Sequence, residues 1–253
     1  MRITRLPAIH HDSNIVVVKG STSNILIDAG TSWYQMLQVE RIIGVLGDEK
    51  LDRILLTSRL YPFAGGVKYI SESFDNAPVH IRKEGQAALQ TGDFFTSWAN
   101  RYESDMPSVE TSLVEDGEIF ALGDCEVEAV SMDGISTDGM SYYISKENLL
   151  VAGGIMIRAD RPCRWDLPGA NLVVMKDNIK KIIAMKLSAI VPMQGPAIKG
   201  KQHIADVLKR HLEFYQSCID AGGIPPVEWA RPARSTLWLS PRTPWPLDEK
   251  EST

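Results

Sequence analysis

Two separate series of short apolar strands, with helical segments at either end of the chain, constrain this sequence more than any other feature. The first series is "NIVVVKG" from Asn14, "NILIDAG" from Asn24, "RILLT" from Arg53 and "PVHI" at 78–81. The first two are joined by a short Gly-Ser-Thr-Ser loop and read as a hairpin. The second series starts at Leu113 with "EIFAL", "CEVEAVS", "MSYYIS" and "NLLVAGG", punctuated by turns at Asp116-Gly117, Gly123-Asp124, Asp133-Gly134 and 146–148.

Helical periodicity fills the spaces between them. Thr31 or Ser32 can cap a helix whose apolar positions are Met36, Leu37, Val39, Ile42, Ile43 and Leu46, ending at Gly47. Pro62 suits a first helical turn, with Val67, Ile70 and Phe74 as the inner stripe. Residues 83–102 read as helical with a break near Gly92, and "NLVVMKDNIKKIIAMK" as a further helix. "SAIVPMQGP" is a strand running into a loop, and 201–221 is amphipathic through Ile204, Val207, Leu208, Leu212, Tyr215 and Ile219. Two sheets with helices at both ends predict an α/β protein built as a layered αββα sandwich.

At 253 residues and 44% hydrophobic content, residues 1–223 are expected to form one large domain. The remainder, 224–253, differs in kind: it is rich in Pro, Arg and Trp and favours extended conformations. Two readings stay open for it. Either it wraps over its own domain, or Trp229, Arg231, Arg234, Trp238 and Trp245 anchor a partner.

The net charge of −5, without a run of Lys and Arg, argues against nucleic acid as a partner. Pro7, His10, His11 and Asp12 interrupt the N-terminus where a signal peptide needs an apolar stretch, and no later segment is long enough to span a membrane. A cytoplasmic location without membrane contact is the expectation. Cys125, Cys163 and Cys218 are odd in number and far apart, which predicts free thiols rather than disulfides or a zinc knuckle.

Five short stretches together resemble the metallo-β-lactamase fold, the superfamily of glyoxalase II-like and related hydrolases. The resemblance covers about Asn14 to Tyr215. "NILIDAG" is similar to the family's early strand ending in aspartate, here Asp28, and "LLTSRLYPFAGGV" to its metal loop, written T-H-x-H-x-D-H-x-G-G. "DGISTDGMSYYI" is similar to its G-H-[ST]-x-[DG] loop, "LLVAGG" to the strand ending in Gly-Asp, and "IVPMQGP" to the strand that reads P-G-H-G.

Carried over residue by residue, the scaffold letters match and the ligand letters do not. Thr57, Gly65, Gly66, Gly134, Asp138, Gly153, Pro192 and Gly195 match. The positions that hold metal ligands in the family carry Ser58, Leu60, Pro62, Phe63, Ile135, Gly154 and Gln194 instead. Zinc and iron sites need several imidazole, thiolate or carboxylate groups converging at about 2 Å, and hydrolases of this class need the metal to make hydroxide near neutral pH. The resemblance therefore implies a degenerate member with no metal, no cofactor and no catalytic residue in the usual place. Leu60, Phe63 and Ile135 are expected to meet as an apolar plug, and Asp28, Arg59, Tyr61, Ser136 and Asp138 to line what remains of the cleft.

The histidines offer no replacement site. His10 and His11 are adjacent, which on a strand would turn them to opposite faces; His203 and His211 stand two turns apart; His80 is alone. The expected role is a pseudoenzyme, a structural or regulatory subunit acting on a protein partner or as a homo-oligomer. The alternatives are a thioester or phosphoester hydrolase with a displaced site, or a small-ligand sensor in the vacated cleft with Arg59 holding an anion. No G-x-S-x-G elbow supports the first of these.

Overall fold

A computed structural model describes residues 1–167, 169–226 and 238–241. The first sheet contains β1 (Arg2–Leu6), β2 (Ile15–Lys19), β3 (Asn24–Ile27), β4 (Arg53–Leu55), β5 (Val79–Ile81) and β6 (Ser112–Leu113), in that spatial order. β1, β2 and β3 pair antiparallel, and β3 through β6 run parallel. The second sheet contains β7 (Ile119–Ala121), β8 (Glu126–Ser131), β9 (Met140–Ile144), β10 (Leu149–Gly153), β11 (Ala189–Pro192) and β12 (Ile198–Lys199), ordered β12-β11-β10-β9-β8-β7. Only β10 and β11 pair in parallel there.

The continuous apolar runs are explained by burial on both faces. Because successive strand residues point to opposite sides, Val16, Val18, Ile25, Ile27 and Leu55 meet Val127, Ala129, Tyr142, Ile144 and Val151 between the two sheets. Ile15, Val17, Leu26 and Ile54 point outward, onto helix α1 (Gln35–Leu46) and α3 (Val67–Ser73). On the far side, Leu150, Ala152 and Ile190 pack under α5 (Leu172–Ala184) and α6 (Lys201–Asp220). Three apolar layers between four structural ones make the αββα sandwich, and each fully buried Val, Leu or Ile contributes about 1.5–3 kcal/mol toward it.

Several elements differ from the sequence expectation. The helix starting near Pro62 is broken: α2 (Tyr61–Ala64) ends at Gly65, and α3 begins after Gly66. A Cβ at Gly66 would lie 2.8 Å from the Ala29 carbonyl, so the break lets two loops touch. α1 turns a different face inward than its apolar letters suggest: Gln38, Ile42 and Leu46 are buried, while Met36, Leu37 and Ile43 are exposed. α4 (Lys83–Thr91) stops at Gly92, whose φ of 67° supports the left-handed stop, and a 3-10 turn follows at Ala99–Tyr102. β1, β6 and β12 have no counterpart in the sequence reading, and Leu113, expected to open the second series, belongs to β6 of the first sheet. The three cysteines are free and buried, and among the described residues no helix is long and apolar enough to cross a membrane.

Candidate functional site

All the loops that carried the resemblance converge at one edge of the two sheets. The loop after β4 is stitched to its neighbours by backbone bonds from Ala29 to Phe63, from Gly66 to Gly30, from Ser13 to Pro62 and from Tyr61 to Ser97, at 2.8–3.0 Å. Asp28 ends β3 at a φ of 64° and accepts the Thr57 backbone N–H at 2.8 Å and the Thr57 hydroxyl at 2.8–2.9 Å. Burial dominates over these hydrogen bonds and pushes the Asp28 carboxyl up to about 7. It works as a buried strut between β3 and the loop that carries Ser58 and Arg59.

The plug positions come together. Leu60, Phe63 and Ile135 are buried in one apolar cluster with Ile155, Met156, Cys163 and Leu167. Gly154 gives the sharpest measure of how tightly: a Cβ built there would lie 2.5 Å from Ile135 Cγ2 and 3.7 Å from Phe63 Cζ. Any side chain at 154 would need the space that Ile135 already fills. Cys163 Sγ lies 2.6 Å from the Gly154 carbonyl oxygen, and burial pushes its thiol up to about 12, so this sulfur stays protonated.

The polar residues nearby are matched to one another. Ser58 Oγ and Ser136 Oγ are 3.1 Å apart, and Ser58 Oγ also accepts the Leu60 N–H at 3.2 Å. Among the described residues, neither hydroxyl is hydrogen-bonded to an imidazole or a carboxylate. Arg59 Nη1 donates to Asp138 Oδ1 at 2.5 Å, and the Arg59 N–H to Asp138 Oδ2 at 2.5 Å. Both residues are buried. A Cβ at Gly85 would lie 2.6 Å from Asp138 Oδ2, so the first turn of α4 rests on this carboxylate and its dipole favours the charge. Tyr61 is fully buried, with its hydroxyl 2.7 Å from both Ser32 and Ser104.

Gln194 takes a different course. Its Nε2 donates to the carbonyls of His10 and Asp12, each at 3.0 Å, pinning the segment before β2. Asn14 completes the latch by donating to the carbonyls of Pro192 (2.8 Å) and Gly195 (2.9 Å). Asp12 was missed in the sequence, yet it is fully buried and accepts from Thr31 N–H (2.9 Å), Thr31 Oγ1 (2.6 Å) and Gln38 Nε2 (2.7 Å). Burial raises its pKa against these bonds. The one available signal was Gln38, a polar residue inside the inward stripe of α1.

The two adjacent histidines also correct the sequence reading. They lie in a turn, not a strand, with His10 at a φ of 52°, and their rings approach to 4.1 Å instead of facing apart. His11 packs edge-on to Tyr102 and Trp33. His211 is buried in α6 with its ring nitrogens near the carbonyls of Val207 and Arg161, and burial lowers its pKa. His80 is likewise lowered by burial, in β5 against Phe120.

The family model of the metallo-beta-lactamase superfamily matches residues 9–193, most of the chain. This protein belongs to the metallo-beta-lactamase superfamily. An uncharacterized protein of Aquifex aeolicus (strain VF5) is 26% identical over 172 residues, 67% of this chain and 76% of its own length. Among solved structures, the B3 metallo-beta-lactamase BLEG-1 superposes with a TM-score of 0.68 at 20% identity, covering 81% of this chain and 97% of that one. TTHA1623, solved in a di-iron-bound form, gives 0.66 at 19% identity over 81% and 98%. At such identities the structures share the fold alone.

Metal ions are what superfamily membership implies, and the residues present do not fit them. Among the described residues, no group of three or more His, Cys, Asp or Glu is placed to hold an ion. Position 154, where the family's strand ends in Asp, is obstructed by Ile135, and the sulfur beside it is held as a thiol. This is a degenerate metallo-beta-lactamase superfamily member.

Of the candidate partner contacts, Trp229, Arg231, Arg234 and Trp245 lie outside the described residues. Trp238 is half-buried against the helical layer of the first sheet, and Leu239 is buried in the cluster that contains the plug. Arg164 holds this short strap, donating from its N–H to the Leu239 carbonyl at 2.9 Å and from Nη1 to the Trp238 carbonyl at 3.2 Å.

Proposed function

We propose that this chain is a non-hydrolytic, metal-independent member of its superfamily, a cytoplasmic pseudoenzyme that serves as a structural or regulatory subunit through protein contacts. The observation that carries the reading is the 2.5 Å approach of Ile135 Cγ2 to a Cβ at Gly154. A hydrolase of this architecture draws both its Lewis acid and its hydroxide from the metal. Here the central ligand position is packed with hydrocarbon. Among the described residues the serines nearby are bonded to each other and to the Leu60 N–H, with no general base in hydrogen-bond contact.

A protein that keeps the scaffold without the chemistry acts through its surface. Phe94 and Phe95, in the segment 93–102, are exposed with rings 4.1 Å apart, a pair that a second copy or another protein would cover. The test is a purified full-length sample assayed for metal content, for hydrolysis of thioesters and phosphodiesters, and for mass by light scattering, alone and with Phe94→Ser. The reading expects no metal-dependent turnover, and an assembly that the Phe94→Ser variant weakens. Reproducible hydrolysis that tracks stoichiometric metal would overturn it.

A further inference from the structure

Beside the plug, the vacated cleft retains a cavity of about 220 Å3. Its floor is made by the buried Leu60, Ile135 and Leu167, one wall by Trp98, and its rim by the exposed Phe95 and Thr96. Arg59 is the charged residue in this lining. The rim is shaped by Asp93, whose Oδ1 accepts from the backbone of Phe95 (2.9 Å) and Thr96 (3.1 Å) and so folds the loop over the opening. Phe95 itself is 65% exposed, an aromatic ring at the mouth of an apolar space.

Arg59 decides what such a space can hold. The residue is only 5% exposed. Its Nη1 is committed to Asp138 at 2.5 Å and its Nε to the Thr96 carbonyl at 3.3 Å, while Nη2 has no hydrogen-bond partner among the described residues. Nη2 is not among the buried atoms left without a partner, so an acceptor on a ligand replaces water there and orients the ring, while burial of the ring supplies most of the affinity. The charge, however, is already balanced. Asp138 neutralises the guanidinium, and an entering carboxylate would be stripped of water without a free positive charge to receive it. The charge state therefore argues against an anion and for a neutral acceptor. Size sets the second limit: a dry cavity of about 150 Å3 takes benzene, so 220 Å3 suits one ring with a short substituent.

We propose that this cavity binds a small, neutral, single-ring molecule whose one carbonyl or similar acceptor bonds Arg59 Nη2, with Phe95 and Trp98 closing over the ring. The site goes beyond the subunit reading and shares Phe95 with its contact pair, so a protein seated on that ring and a ligand in the cavity compete for it. It is tested on the intact chain alone, by fluorine NMR titration with three probes of one shape: para-fluoroacetophenone, para-fluorotoluene and para-fluorobenzoate. The ketone is expected to bind saturably with a Kd on the order of 0.1–1 mM. The toluene, which lacks the acceptor, and the benzoate, which brings a charge, are each expected to bind about tenfold more weakly. Leu167→Trp fills the floor and is expected to abolish binding; its near-UV circular dichroism reports whether it folds. Phe95→Ala, at an exposed position, keeps the test independent of that outcome and is expected to weaken the ketone severalfold. The proposal is overturned if the ketone does not saturate up to about 10 mM, if benzoate binds tightest, or if folded Leu167→Trp and Phe95→Ala both bind as the parent does.

Discussion

The vacated ligand positions are filled in two opposite ways. Around Gly154, Leu60, Phe63 and Ile135 close the space with hydrocarbon, whereas Gln194 closes its end of the cleft with two hydrogen bonds to the His10–Asp12 segment. The surroundings account for the difference. The first set lies among Ile155, Met156 and Leu167, where an unpaired polar atom would be penalised and volume is what stabilises. The second faces main-chain carbonyls that need donors, and a side-chain amide supplies them. Metal binding can support a fold as well as catalyse. Here that support has been divided between a packed side and a hydrogen-bonded side, each matched to its neighbours.

The largest effect that would break this comparison is Gly154→Asp, which puts a carboxylate into the packed side. It is expected to destabilise by at least about 3 kcal/mol, read by urea unfolding, since the charge is buried without a partner. A stable variant that gained zinc would show that the plug yields. Next comes Asp28→Asn. The native carboxyl lies near 7 against an ordinary 3.8, so the folded state holds a proton that the unfolded state has released between these values. Stability from this group is present below about pH 4 and is lost as pH rises through 7. The amide mimics the protonated form, so the variant should match the parent near pH 4 and exceed it by up to about 4 kcal/mol at pH 8. A pH-independent difference would contradict the assignment.

A double-mutant cycle sharpens the packed side further. Gly154→Ala alone is expected to cost about 1–3 kcal/mol by overpacking, and Ile135→Ala about 2–5 kcal/mol by leaving a cavity. Together they should cost less than the sum by about 1 kcal/mol or more, because each relieves the other. Strict additivity would mean that Ile135 and position 154 do not compete for space. The smallest effect belongs to the hydrogen-bonded side: Gln194→Ala should cost about 1–2 kcal/mol by orphaning carbonyls of His10 and Asp12, with faster amide exchange confined to residues 9–14. Loss spread through β10 or α5 would argue that the two sides are one unit.

Much of the packed side could be read from sequence, because it depends on residue type at positions fixed by local strand and loop patterns. Apolar letters at 60, 63 and 135 and a glycine at 154 carry their meaning wherever the scaffold glycines and Pro192 place them. The hydrogen-bonded side was hidden, since it joins residues more than 180 positions apart. Nothing near Asp12 announces that Thr31 and Gln38 will reach it. The same non-locality explains the inward face of α1, where Gln38 follows Asp12 inward while Met36, Leu37 and Ile43 are left outside. It also explains β1, whose letters "RITRL" gain strand character only by pairing with β2. The cavity was legible in part: Arg59 was expected to face a cleft, but its neutralisation by Asp138 depends on geometry and changes the ligand from an anion to a neutral acceptor.

The central claim, that packing has replaced the metal, is tested most directly by native mass spectrometry of the full-length protein purified gently and then incubated with zinc or iron. The account predicts the bare polypeptide mass, or an integer multiple of it, with no stoichiometric metal before or after incubation. One or two ions retained per chain at stoichiometric occupancy would contradict it.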